Sequence, residues 1–345
     1  MISEKKLVFH IGKPKTGTTF LQKRILNVSE CLYLGVKYQH NKIHGEVKTG
    51  ELNHKRIFPS FRKDVFPSYK NFTHNSYEQT KYYAKMICDE IRKNPDATSI
   101  IVSDEAIGDY YNHMAEYNIA KVFLIGSFVK EELRDFKVSL HLSLAIRRQD
   151  TWLWSFFHHH SHFTGKFSSF VNERVLQDDK DELGLLYSQC LDVYKKMSFG
   201  NWEIKAVPFE LLSIDGKASE YLEEIYFLSK GQASVVSKSK ENSKTVNNIN
   251  DLSQANRFSI FGRIGFRLGE IYDPRSPSKF GYFASKASSA SMLVDRHLQK
   301  ILPRKYYTDL PPEDISEKIL EYFNESNLEL QLAMKDFDLQ RYGYF

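Results

Sequence analysis

Residues 6–11, KLVFHI, are apolar and β-forming, and they run directly into GKPKTGTT at 12–19. Gly, Pro and Thr end a strand, and a Thr can cap the helix that follows. The next segment, FLQKRILNV, sets Leu21, Ile25 and Val28 at i, i+4 and i+7, one apolar stripe able to pack on a sheet. The local prediction is strand, loop, helix, with the helix start facing the loop. Backbone N–H groups at such a junction can enclose phosphate oxygens.

Later segments repeat the alternation of strand and helix. TSIIVSDEAI at 98–107 is apolar and then abruptly acidic, as where a buried parallel strand reaches the functional edge of its sheet. VSLHLSLAI at 138–146 is the third strand, and EIKAVPFELL, near 203–212, the fourth. Helices are predicted from Tyr77 to about Lys93, over 106–117 and 127–136, from 147 toward Gly165, and around 181–197. A mainly parallel α/β sheet with helices on both faces accommodates this order. Near the carboxyl end, Ile315, Ile319, Leu320 and Phe323 mark an amphipathic helix after Pro311 and Pro312, expected to pack back on the sheet.

Three stretches elaborate this single predicted domain of residues 1–345. An insert at about 37–76 is basic and irregular and carries His40, His44, His54 and His74. A polar Ser/Asn/Lys-rich loop occupies about 230–257, and a helical region covers about 312–340. Composition excludes collagenous, low-complexity and disordered classes: 41% of residues are hydrophobic, with 20 Tyr and 25 Phe against 17 Gly and 10 Pro. The net charge of +5 (48 Lys+Arg, 43 Asp+Glu) suits a small polyanionic ligand better than nucleic acid. Cys31, Cys88 and Cys190 fit no metal-ligand spacing, which points to a reducing compartment and no structural metal. No segment has the length and hydropathy of a signal peptide core or membrane span, so a soluble, cytoplasmic protein is expected, with peripheral membrane contact left open.

In the loop, Thr18 follows Gly17 where a nucleoside triphosphatase places its lysine, and the cation sits two residues before that glycine, at Lys15. A shifted cation implies a different transferred group. An ordinary capped turn with Lys15 merely solvated is the alternative for the loop alone.

Here the chain resembles the sulfotransferases that use 3′-phosphoadenosine 5′-phosphosulfate (PAPS). Their 5′-phosphosulfate loop reads Pro-Lys-Ser/Thr-Gly-Thr-Thr after the first strand, and Pro14 to Thr19 fit it throughout. The same family holds the 3′-phosphate with an Arg at a later strand end and a Ser eight residues on. Arg147 and Ser155 stand at that spacing. Physically, Arg147 offers a planar fork and Ser155 a hydroxyl, and a helix start near Gln149 adds a favourable dipole. A solvated charge pair is the alternative for Arg147-Arg148. HIGKPKTGTTFLQ, VSDEA, RRQDTWLWS and FNESNLEL look most like the bacterial branch that sulfates carbohydrates.

The resemblance implies a P-loop-like α/β fold of sulfotransferase type, PAPS as donor, PAP as product, no metal, and a carbohydrate or glycolipid acceptor. Lys15 would meet the charge developing on the bridging oxygen, with Thr16, Gly17, Thr18 and Thr19 around the 5′-phosphate. For the base that takes the acceptor proton, Glu105 after the second strand is the first candidate and His54 the second, the latter equally readable as a surface histidine. Asp104 is read as a helix cap. His158, His159, His160 and His162 cannot converge on one ion from successive helical positions, and are read as packing or exposed residues, one of them within reach of acceptor. The Arg-Lys-Gly loop of the small-molecule sulfotransferases is absent, and the 230–257 segment is a candidate to replace it. A kinase-like phosphotransferase on the same loop, or a non-catalytic nucleotide-binding module, are the competing readings.

Overall fold

The computed structural model describes residues 4–12, 16, 21, 25, 28, 31–35, 49–50, 74–103, 115–159, 166–177, 183–214, 217–233 and 310–345. The chain divides into two compact units. The first comprises Met1–Gln149, Asp179–Ser239 and Leu320–Phe345, and the second Asp150–Asp178 and Lys240–Ile319.

The first unit is built on a parallel sheet. Its strands are β1 (Glu4–Gly12), β2 (Cys31–Gly35), β3 (Thr49–Gly50), β4 (Ser99–Ser103), β5 (Lys137–Ile146) and β6 (Trp202–Pro208), in the spatial order β3-β2-β4-β1-β5-β6. Every neighbouring pair is parallel. The central strand β1 is covered on both sides, so Leu7, Val8, Phe9 and Ile11 are all fully buried and read as one apolar run. β3 lies within the basic insert and adds a two-residue edge.

Helices α1 (His74–Lys93) and α2 (Ala115–Glu132) lie side by side, with Tyr77 edge-on to Phe128 at 5.4 Å. The separate helix predicted over 127–136 is corrected, since α2 runs without a break from Ala115 to Glu132; most of the helix predicted over 106–117 lies outside the described residues. Ile119, Val122, Phe123, Ile125 and Val129 are buried along α2, and Gly126 interrupts nothing. A Cβ there would lie 2.2 Å from Cζ2 of Trp202, so the helix needs glycine to approach β6.

Alternation along the strands separates two faces. Phe9 and Trp202, with ring centroids 5.8 Å apart, face α2, while His10 and Lys205 face the opposite layer. That layer contains α6 (Ala218–Ile225), whose Glu224 pairs with Lys205, and Tyr226 edge-on to His10 at 5.3 Å. Helices thus cover both faces, as expected. The predicted strand over 203–212 is corrected: it ends at Pro208, and Phe209–Ser213 form a 3-10 turn. Proline removes a ladder donor at that point. The acidic helix around 181–197 is α5 (Tyr187–Met197), starting only after the non-helical Leu186.

Helix α3 (Gln149–His159) begins three residues after β5 ends, and α4 (Phe167–Val171) continues into a π-helical turn, Asn172–Leu176. In the second unit Trp152 stacks on Phe156 at 4.7 Å, and Phe157 packs on Phe167 at 5.5 Å. The carboxyl-terminal helix α7 (Glu313–Ala333) has Ile319, Phe323 and Leu330 buried, with Ile315 and Leu320 only half-buried. After it, Phe337 receives the Lys205 ammonium at 5.5 Å from its ring centre, which sets the tail against β6.

Candidate functional site

The carboxyl ends of β4, β1 and β5 stand side by side. Gly12 is the register partner of Ala145, and His10 that of both Ser103 and Ser143. From β1 the chain proceeds to β2 on one side, and from β5 to β6 on the other. Where neighbouring parallel strands send their connections in opposite directions, a crevice opens outside their carboxyl ends, and α/β sheets bind ligands there. Residue 13 begins the Lys15 loop directly after Gly12, and Arg147 lies two residues beyond Ala145. Glu105 lies two residues beyond Ser103, at the end of the strand on the other side of β1.

Of the predicted site residues, Thr16, Arg147 and Ser155 are described. Thr16 is fully buried. Arg147 is half-buried at the end of β5, and Ser155 is half-buried on α3, in the second unit. Lys15, Gly17, Thr18, Thr19, Glu105 and His54 lie outside the described residues, as do Asp104, the loop at 234–257 and most of the basic insert.

The surroundings of Arg147 are specific. Its guanidinium carbon lies 5.0 Å from the centre of the Phe209 ring, a cation–π distance. The Tyr187 hydroxyl donates to the Arg147 carbonyl at 2.8 Å, and the Arg148 N–H donates to Glu210 Oε1 at 2.9 Å. The second carboxylate oxygen of Glu210 accepts from the Tyr344 hydroxyl at 3.0 Å. Asn327 Nδ2 donates to the Tyr344 carbonyl at 2.9 Å, and its Oδ1 accepts from buried Gln149 Nε2 at 2.6 Å. Burial raises the Glu210 carboxyl above its ordinary range, opposed by the Arg148 N–H and the charge of Arg147. Burial and the neighbouring Glu210 hold the Tyr344 hydroxyl protonated. The predicted helix start is present, since Gln149 opens α3.

Two residue pairs below Gly12 and Ala145, a polar row crosses three strands: Ser103, His10 and Ser143. His10 Nδ1 is 2.8 Å from Ser103 Oγ. Among the described residues, buried His10 Nε2 and Ser143 Oγ have no hydrogen-bond partner. Burial lowers the His10 pKa to about 3, so the ring is neutral at ordinary pH.

The sequence reading missed Glu210, Tyr344, Tyr187 and Asn327. Glu210 belongs to a segment that reads as strand, and Tyr187, Tyr344 and Asn327 reach Arg147, Glu210 and Gln149 across 40, 134 and 178 positions of chain. Asn327 falls within FNESNLEL, one of the segments that carry the resemblance, but no local pattern names its partner or those of the other three. Within the histidine run, His158 is buried against the Trp154 ring at 4.0 Å, and burial lowers its pKa to about 4. Among the described residues, no group of three or more His, Cys, Asp or Glu could hold a metal ion, and no helix is long and apolar enough to cross a membrane. Comparison with protein-family models found no match, and comparison with curated proteins found none either.

Proposed function

We propose that this chain is a PAPS-dependent sulfotransferase that acts on a hydroxyl of a carbohydrate or glycolipid. The observation that carries the reading is the pairing of Gly12 with Ala145, which sets the start of the Lys15 loop and the Arg147 turn at adjacent strand ends. A donor with phosphate groups at both ends of a nucleoside needs two cationic points a nucleoside apart, on neighbouring connections of one sheet edge. The 5′-phosphosulfate would lie in the loop of Lys15, Thr16, Gly17, Thr18 and Thr19, and the 3′-phosphate at Arg147 and Ser155.

The reaction forms a bond between the acceptor oxygen and sulfur while the bond from sulfur to the bridging phosphate oxygen breaks. The acceptor proton passes to a base, for which Glu105 is preferred and His54 is second. PAP leaves, its new negative charge stabilised by Lys15. No metal enters this scheme.

Purified protein incubated with PAPS labelled in its sulfuryl group and a panel of oligosaccharides, glycolipids and small phenols tests the assignment. Label on a saccharide hydroxyl, with release of PAP, is the expected outcome. Phosphate transfer from ATP with Mg2+ would instead support a kinase. PAP binding without transfer to any acceptor would leave a nucleotide-binding module.

A further inference from the structure

The carbonyl of Arg147 and the N–H of Arg148 belong to one peptide group. Both ends of that group are held by side chains from distant elements: Tyr187 donates to the oxygen at 2.8 Å, and Glu210 accepts from the N–H at 2.9 Å. Neither bond belongs to the β5 ladder or to the α3 helix. The orientation of a peptide plane at such a strand-to-helix junction is set by one soft dihedral on each side, ψ of Arg147 and φ of Arg148, and two side-chain bonds remove that freedom. Glu210 is fixed in turn by the Tyr344 hydroxyl at 3.0 Å. The tail that carries Tyr344 is itself held, through the Asn327 amide on the Tyr344 carbonyl at 2.9 Å. Gly343 packs so closely on Arg148 that a Cβ there would lie 2.8 Å from its Nη1.

We infer that Glu210, braced by Tyr344 of the carboxyl-terminal tail, is a positioning residue that orients the Arg147 fork toward a terminal phosphate and so sets selectivity for a 3′-phosphorylated nucleotide. This rests on the assignment of Arg147 to the 3′-phosphate above. Both oxygens of the Glu210 carboxylate are engaged, one by the Arg148 N–H and one by Tyr344. Loss of the Tyr344 hydroxyl leaves the carboxylate able to turn toward the adjacent guanidinium, and an Arg147 neutralised that way competes poorly for phosphate. The last residues of the chain thus act on a ligand through one carboxylate.

The test compares wild type with Tyr344→Phe and Glu210→Gln, which keep the buried volume, and with Glu210→Ala. Titration calorimetry with PAP and with adenosine 5′-phosphate gives the preference for the 3′-phosphate, and hydrogen exchange reports the Arg148 amide without ligand. In Tyr344→Phe the preference should fall about tenfold, as for one charged hydrogen bond lost, with adenosine 5′-phosphate affinity unchanged and faster Arg148 exchange. Glu210→Gln, which retains an acceptor for the Arg148 N–H, should lose less than Glu210→Ala. Equal weakening of both nucleotides, or unchanged preference in every variant, overturns the inference while leaving the Arg147 assignment standing. Absence of any preference in the wild type overturns the assignment itself, and the inference with it.

Discussion

Gly12 and Ala145 are register partners on adjacent parallel strands, and the loop containing Lys15 and the turn containing Arg147 begin within two residues of that pair. If Lys15 meets charge that appears only as the sulfur–oxygen bond breaks, Lys15→Ala should lower kcat about a hundredfold or more at saturating PAPS, with little change in PAP affinity. Steady-state kinetics beside PAP titration separate the two. An affinity loss that accounts for the whole rate loss would make Lys15 a simple binding residue.

Arg147 should behave in the opposite way. Arg147→Ala is expected to weaken PAP by about ten- to a hundredfold, the range for a charge-assisted pair, and adenosine 5′-phosphate by much less. Arg147→Lys should recover only part of the loss, since an ammonium lacks the planar fork and stacks less well on Phe209, whose ring lies 5.0 Å away. Calorimetric titration of both nucleotides reads this directly. Equal losses for both would remove Arg147 from the 3′-phosphate.

The strands were legible because each carries its own signal. KLVFHI, TSIIVSDEAI and VSLHLSLAI are short apolar or alternating runs, and a strand forms at each, Glu4–Gly12, Ser99–Ser103 and Lys137–Ile146. Where an element depends on a distant partner, local reading fails. The 118–126 segment is left out of the predicted helices although it is helical with Gly126 against Trp202, and Glu210 reads as strand until Pro208 has ended β6. The same division holds at the carboxyl edge of the sheet. Arg147 is announced by the strand that it ends, whereas Tyr344 and Asn327 reach its turn only through the tertiary fold.

Gly126 and Trp202 give a stability prediction. Alanine favours a helix interior over glycine by about 1 kcal/mol, yet the added methyl would fall 2.2 Å from a buried, rigid indole. Overpacking of that kind costs about 1–3 kcal/mol or more, so Gly126→Ala should be net destabilising. Trp202→Phe removes the two ring carbons nearest the new methyl. The double variant should therefore be more stable than the sum of the single losses, a coupling that chemical denaturation of all four proteins measures. Additive losses would mean that α2 shifts to make room.

His10 predicts how stability depends on pH. Its ring is buried, with a folded pKa of about 3 against an ordinary 6.5, so the native state holds it neutral. Above about pH 6.5 neither folded nor unfolded chain binds the proton, and the full stability is present. As pH falls through that value the unfolded chain protonates first, and the native state loses about 1.4 kcal/mol per pH unit from this group until its own pKa is reached. His141 and His158, both lowered chiefly by burial, act with the same sign. In His10→Asn, an amide replaces the Nδ1 bond to Ser103 Oγ, which is 2.8 Å long in the native chain, and nothing titrates there. Denaturant unfolding at several pH values between about 6 and 4.5 should give a slope shallower by one proton than in the wild type. An identical slope would mean that the wild-type ring is already charged when folded, and that the polar row of Ser103, His10 and Ser143 carries a cation.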